Sequence, residues 1–215
     1  MKQVSVLSLL VIVSGCASAS LTAFRDPAYA NRQFGKLAVF TTGMYMENAM
    51  NLERQVCKKI APDQCVPGQL VLPPTRSYST AEISQYLEQA DIDGVLIVAL
   101  GDDQSASKYL GTIATSSATA SATQSGTAQV YGNTVLSNSA SQGTATASSV
   151  ATPVYGHSRR AHAIVSLFER RSGGLAWRGE LDVSGQGELA VSDDAFIRAA
   201  TNEIAAKLKA SQLVR

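Results

Sequence analysis

The sequence is poor in the residues from which enzymes and metal sites are most often built. It has only two histidines among its 215 residues, His157 and His162, and it has three cysteines. It contains neither a Gly-x-Ser-x-Gly nucleophile motif nor a His-Glu-x-x-His zinc motif. His157 follows Tyr155-Gly156 and is interpreted as a loop residue, and His162 as a structural residue of a strand. We therefore expect no enzymatic activity, no cofactor and no metal.

The chain also lacks an excess of charge of either sign. Lysine and arginine number 18 against 17 aspartates and glutamates. Proteins that bind nucleic acid concentrate basic residues, so a nucleic-acid partner is not expected. The pairs Arg159-Arg160 and Arg170-Arg171 are interpreted as strand ends. Asp102-Asp103 is interpreted as a solvated turn, because adjacent carboxylates seldom converge on a cation without further ligands.

No apolar run at the start of the chain is long enough for a membrane-spanning helix, which needs about 20 residues. The run from Val4 to Val13 is short, is interrupted by Ser5 and Ser8, and follows a single basic residue, Lys2. A charged start, a short apolar segment and small residues are typical of a secretory signal peptide. Residues 1–15 are accordingly predicted to be a signal peptide.

The residues at the end of this segment, Val13-Ser14-Gly15-Cys16, resemble the lipobox of bacterial lipoproteins. The resemblance implies cleavage before Cys16 and attachment of the lipid to Cys16, which would hold the protein on a membrane. Ala17, rather than Asp, follows the cysteine, which in that family implies the outer membrane, with the domain facing the periplasm. The alternative is an ordinary signal peptide cut at 17–19, which would remove Cys16.

Two cysteines remain, Cys57 and Cys65, separated by a short segment that contains Pro62. Disulfides persist in exported proteins, so we predict a Cys57–Cys65 disulfide that holds the end of a helix to the loop after it. The alternatives are two buried thiols or a metal site. Zinc is disfavoured because structural zinc takes four such ligands.

Periodicity predicts the rest of the chain as an α+β domain over 34–215, preceded by a lipidated tether over 16–33. The predicted mixed sheet carries about three helices. One of them opens with a capping box at Ser79 and Glu82, and another with Ser192 as N-cap. Trp177 is expected to face inward from an alternating strand. The predicted strands are 36–41, 69–72, 95–100, 161–168 and 175–183, and the predicted helices are 46–60, 80–90 and 193–208.

A segment without a single charged residue lies between Lys108 and Arg159 and consists mostly of Ser, Thr, Ala and Gly. Its Ser/Thr and Ala residues alternate with a period of two, which is the period of a strand. We predict a β-hairpin insert over 112–152 that turns at Gly132-Asn133 and pairs residues whose numbers sum to 265. The alternative is a flexible linker.

Such a hairpin would reach on the order of 65 Å, since each residue of a strand adds about 3.3 Å. An isolated two-stranded hairpin is marginally stable in water, and its two uncharged edges would be open to further strands. The hairpin insert is therefore expected to pair with other copies of the chain or with an envelope protein.

The order strand-helix-strand-helix-strand, insert, two strands and helix resembles the periplasmic domains of the curli-secretion lipoprotein and of penicillin-binding-protein activator lipoproteins. The sequence is also locally similar to these domains in the first predicted strand, at 35–39, and in the late hairpin, at 173–179. The resemblance implies a non-enzymatic outer-membrane lipoprotein with an assembly or adaptor role in envelope biogenesis or secretion, self-associating through 112–152. The alternative function is an oligomeric secretion or transport pore formed by the inserts.

Overall fold

A computed structural model describes residues 17–131 and 134–214, and for 117–147 it describes the backbone alone. The predicted signal peptide 1–15, the predicted lipidation residue Cys16 and the predicted turn Gly132-Asn133 lie outside the described residues. Within them the chain forms two compact units. We call residues 17–107 and 156–214 the core unit, and Lys108–Tyr155 the arm.

The described residues confirm the α+β class, with one six-stranded mixed sheet in the order β1-β6-β5-β4-β2-β3. The strands are β1 (Ser18–Arg25), β2 (Leu37–Thr42), β3 (Cys65–Pro67), β4 (Gly94–Tyr131), β5 (Thr134–Glu169) and β6 (Leu175–Gln186). The helices are α1 (Met46–Ile60), α2 (Gly68–Val71), α3 (Thr80–Gln89) and α4 (Asp193–Ala210), with a 3-10 turn at Pro27–Tyr29. None of these helices is long and apolar enough to cross a membrane.

The core unit covers both faces of β2 and of the first part of β4, one face fully and the other in part, which explains their continuous apolar sequences. Leu37 and Val39 belong to the larger core cluster, formed with α1 and α4, whereas Ala38 belongs to a smaller cluster with Leu87 of α3. Strand β2 runs parallel to both β3 and β4. The carboxyl end of β2 therefore lies at the same edge of the sheet as the start of α1, which follows it in the chain.

Three features that were predicted from local sequence patterns are present in the structure. The N-cap Ser79 accepts a hydrogen bond from the backbone of Glu82, and the Glu82 carboxylate accepts one from the backbone of Ser79. Ser192 caps α4. Trp177 is 1% exposed in β6, whose burial alternates as the sequence predicts.

The prediction of a tether over 16–33 is wrong for Ser18–Arg25, which forms the edge strand β1 antiparallel to β6. The hydrophobic pattern of β1 is weak because Leu21 is its only fully buried side chain. Leu21 fits over Gly179, where an added Cβ would lie 2.8 Å from the leucine Cδ2. The Arg25 guanidinium then holds the following turn by donating to the carbonyls of Tyr29 and Arg32.

The predicted strand 69–72 is also wrong, since Gly68–Val71 forms the short helix α2. The edge strand is instead β3, which ends at Pro67, and proline is tolerated on edge strands. The backbone N–H of Gln69 donates to a carboxylate oxygen of Glu53 at 3.4 Å rather than to a neighbouring strand. An added Cβ at Gly68 would collide with the Phe40 ring, so only glycine permits this close approach.

Candidate functional site

The side chains at the carboxyl edge of the parallel strands are organised around Arg159, which lies within β5 rather than at a strand end. Its Nε and Nη2 donate to the two carboxylate oxygens of Asp103 at 2.8 and 2.5 Å. Its Nη1 donates to Asp193 at 2.5 Å and to the Val191 carbonyl at 3.1 Å. The guanidinium also lies 4.6 Å from the centre of the Phe196 ring. This Asp103–Arg159–Asp193 cluster joins β4 and β5 to the start of α4.

The electrostatics of the cluster follow from these contacts. The hydrogen bond from Arg159 lowers the pKa of Asp193 below its ordinary value, against the opposing effect of burial. Hydrogen bonding to Asp103 raises the pKa of Arg159 further. Asn48 of α1 donates to the second oxygen of Asp193 at 2.7 Å. Since the guanidinium already donates to two carboxylates and a carbonyl, it has little capacity left for an anionic ligand, and we interpret the cluster as structural.

Asp102 and Asp103 are residues of β4, so their interpretation as a solvated turn is wrong. Successive side chains of a strand point to opposite faces. Asp103 binds Arg159, whereas Asp102 lies on the other face, in a shallow pocket that His162 and Asp182 also line. The two carboxylates therefore do not converge on a common cation.

The two histidines both lie in β5. His157 is a strand residue rather than a loop residue, and its carbonyl accepts a hydrogen bond from Gly187. His162 is a strand residue as predicted, and its Nδ1 lies 3.1 Å from Asp182. Among the described residues no group of three or more His, Cys, Asp or Glu side chains could hold a metal ion.

Glu53 is a carboxylate of helix α1 that is buried inside the core unit. It is 2% exposed and accepts hydrogen bonds from the backbone N–H groups of Thr41 at 2.9 Å and Gln69 at 3.4 Å. Burial raises its pKa, and the backbone hydrogen bonds oppose that shift. Glu53 thus links α1 to β2 and α2 from inside the core unit.

The structure joins Cys57 and Cys65 in a disulfide, with their Cα atoms 4.9 Å apart. Both residues are buried. Because Cys65 lies in β3 opposite Leu37 of β2, the bond ties α1 to the edge of the sheet rather than to a loop. We interpret the bond as structural, since both of its residues lie inside the core unit.

The arm contains most of β4 and β5. Only Gly94–Ala99 of β4 pairs with β2, and only Ser158–Phe168 of β5 pairs with β6, and both segments belong to the core unit. In the described part of the arm, each of the two strands therefore has the other as its only neighbour in the sheet order. The Thr115 hydroxyl donates to the Val150 carbonyl at 3.4 Å, and these are residues that the predicted pairing places opposite each other.

The described side chains of the arm expose large apolar groups. The rings of Tyr109 and Tyr155 pack edge to face with centroids 5.8 Å apart, yet both rings are exposed. Leu110, Ile113 and Val150 are exposed as well. We interpret this group of exposed apolar side chains as a candidate interaction site.

No protein-family model and no curated protein sequence matches the chain. Among solved structures, it is similar to the PelC dodecamer from Paraburkholderia phytofirmans, with a TM-score of 0.44 and 10% sequence identity over 92% of this chain and 99% of that chain. It is similar to a point variant of that dodecamer with a TM-score of 0.43 and 11% identity over the same shares. Similarity of this degree assigns no function to the chain.

The roles of Arg159 and Glu53 were not predictable from the sequence, and for the same reason. The partners of Arg159 are Asp103 and Asp193, which are 56 and 34 residues away in the chain. The partners of Glu53 are backbone groups of β2 and α2. No local pattern marks such contacts, because they form only when the strands pair and the helices pack against the sheet.

Proposed function

We propose that this protein is a lipid-anchored outer-membrane protein that assembles with copies of itself through the arm and performs no catalysis. The lipid is attached at Cys16, and the core unit stands in the periplasm. The protein then serves as an assembly or adaptor component in envelope biogenesis or secretion.

A single observation carries the proposal: within the described residues, β4 and β5 continue into an arm whose outer edges pair with no other strand and whose apolar side chains are exposed. Unpaired edges offer backbone N–H and C=O groups to another strand. Natural edge strands are usually protected by charge or proline, whereas the arm consists mainly of small uncharged residues. A second arm supplies edges of the same chemistry.

The side chains of the candidate site also support a non-catalytic role, because their reactive groups are already engaged or buried. Arg159 is held by Asp103 and Asp193, and the disulfide is buried, so neither group is available for chemistry. The cluster instead fixes the core-unit residues of β4 and β5 to helix α4. A pore built from the arms, the alternative function, would depend on the side chains of 117–147, which lie outside the part of the chain whose side chains are described.

Charged substitutions on the arm test this proposal. Residues 17–215, which lack Cys16 and its lipid, are compared with the variant Ile113→Lys/Val150→Lys by sedimentation equilibrium. Lysine on an exposed strand is expected to block edge pairing and to reduce the measured mass to that of a monomer. The matched control Ser84→Lys/Gln89→Lys adds the same charge to the exposed side of α3 and is expected to keep the mass of the unmodified protein. A monomer in all three samples would refute self-assembly through the arm.

A further inference from the structure

The core unit begins almost at the predicted lipidation residue. Strand β1 starts at Ser18, and Ala17 is already partly buried against the core cluster. The Ser18 hydroxyl lies 3.2 Å from the hydroxyl of Ser184 on β6. Consecutive Cα atoms are about 3.8 Å apart, so acyl chains on Cys16 would leave the protein directly beside this end of the sheet.

Two exposed apolar residues stand at the start of α1, at the same end of the core unit. Tyr45 is 86% exposed and Met46 is 60% exposed. They follow the carboxyl end of β2, where Thr42 pairs with Ala99 of β4. Tyr45 is the N-cap residue of α1, but its side chain makes no capping hydrogen bond. Tyrosine, with an apolar ring and a polar hydroxyl, suits the boundary between lipid and water.

A third exposed apolar residue, Leu189, lies on the loop before α4 and is 77% exposed. The carbonyl of its neighbour Ala190 lies so close to Gly185 that an added Cβ would collide with it. Gly185 follows Ser184, the residue opposite Ser18 in the sheet. Leu189 therefore lies near the start of β1. The hydrogen bond from Asn48 to Asp193 joins the starts of α1 and α4, which brings the three exposed side chains to one end of the core unit.

We propose that Tyr45, Met46 and Leu189 form a membrane-contacting surface that rests in the interface of the bilayer anchored by Cys16. The inference rests on the lipid attachment proposed above. The absence of a spacer between the anchor and β1 holds this surface against the lipid. Glu47 and Glu188 flank the three residues in the sequence, so the contact is apolar rather than electrostatic, and anionic lipids are not required for it.

Tryptophan substitutions report the contact. The full chain is produced with its signal peptide, its acylation is verified by mass spectrometry, and it is reconstituted into vesicles of zwitterionic phosphatidylcholine brominated on the acyl chains. The variants are Tyr45→Trp, Leu189→Trp and the control Gln89→Trp, which lies at the opposite end of the core unit on the last residue of α3. The native Trp177 is buried and adds the same background to each variant.

We expect the brominated lipid to reduce the fluorescence of the Tyr45→Trp and Leu189→Trp variants and to leave that of the control unchanged. If the brominated lipid reduces the fluorescence of all three variants equally, or of none, in acylated and vesicle-bound protein, the membrane contact is overturned and the anchor remains intact. Protein that carries no acyl chain at Cys16 would overturn the anchor itself, and the contact with it. Mass spectrometry distinguishes these two failures before any fluorescence is measured.

Discussion

Arg159 on β5 and Asp103 on β4 form a two-point ion pair, with nitrogen–oxygen distances of 2.8 and 2.5 Å. The pair spans two neighbouring strands within the core unit, a few residues from where the arm begins and ends in the sequence. The guanidinium also reaches Asp193 at the start of α4. One side chain thus connects the strands that lead into the arm with the helical layer of the core unit.

Replacing Arg159 with alanine is expected to destabilise the protein. The change leaves the carboxylates of Asp103 and Asp193 without their cation, and losing one partner of a charged hydrogen bond costs about 1.5–3 kcal/mol, an effect that solvent reduces for partly exposed groups such as these. We expect a decrease of about 2 kcal/mol in the free energy of unfolding, measured by urea denaturation at neutral pH. The control Arg198→Ala removes an exposed arginine of α4 and should change stability by less than about 0.5 kcal/mol. Equal effects would contradict a role for the cluster.

The substitution Asp193→Asn is expected to lower the free energy of unfolding by an amount that depends on pH. Arg159 lowers the pKa of Asp193 below its ordinary 3.8, so the carboxylate stabilises the fold above that pH and loses this contribution as the pH falls through the lowered pKa. The free energy of unfolding should therefore be higher for the wild type than for the variant at about pH 7, and this difference should decrease as the pH is lowered to about 2. Asp194→Asn is the control for loss of a carboxylate in the first turn of α4. A gap that is independent of pH would refute the ion pair.

Glu53→Gln is expected to show the opposite pH dependence. Burial raises the pKa of Glu53 above its ordinary 4.5, so its contribution to stability is complete below that pH and is lost as the pH rises through the raised pKa. Glutamine does not ionise. The stability of the variant relative to wild type should therefore improve between about pH 4 and pH 8 in urea denaturation. Parallel curves for the two proteins would show that Glu53 has an ordinary pKa.

Removing the disulfide with Cys57→Ala/Cys65→Ala is expected to cost about 2.5 kcal/mol, because the bond closes a short loop in the unfolded chain. Urea denaturation of the oxidised wild type and of the variant measures the difference. A reducing agent should lower the stability of the wild type and leave that of the variant unchanged. A variant as stable as the oxidised wild type would show that the bond between α1 and β3 contributes nothing.

Elements whose signals are local were predictable from the sequence. Helix α1 has the predicted bounds, Met46–Ile60, because its apolar residues recur at helical spacing and Pro62 follows it. The capping residues Ser79 and Ser192 mark the starts of α3 and α4. The period-two pattern also predicted long strands in the arm, and β4 extends to Tyr131 while β5 begins at Thr134.

Elements held by distant partners could not be predicted in this way. Strand β1 consists mainly of small residues, and it is a strand because β6 supplies its hydrogen bonds. Helix α2 forms where Glu53 accepts the N–H of Gln69. Arg159 belongs to an ordinary basic pair until strand pairing places it beside Asp103. In each case the decisive contact joins residues that are far apart in the sequence.

The mass in solution of residues 17–215, with and without the arm, tests the central claim most directly. In the shortened protein, Asn-Gly replaces residues 112–152, and circular dichroism verifies that the core unit remains folded. We predict a defined oligomer for the intact protein and a folded monomer for the shortened one. The same oligomer in both proteins would show that assembly does not depend on the arm, and monomers in both would show that the arm does not assemble the chain.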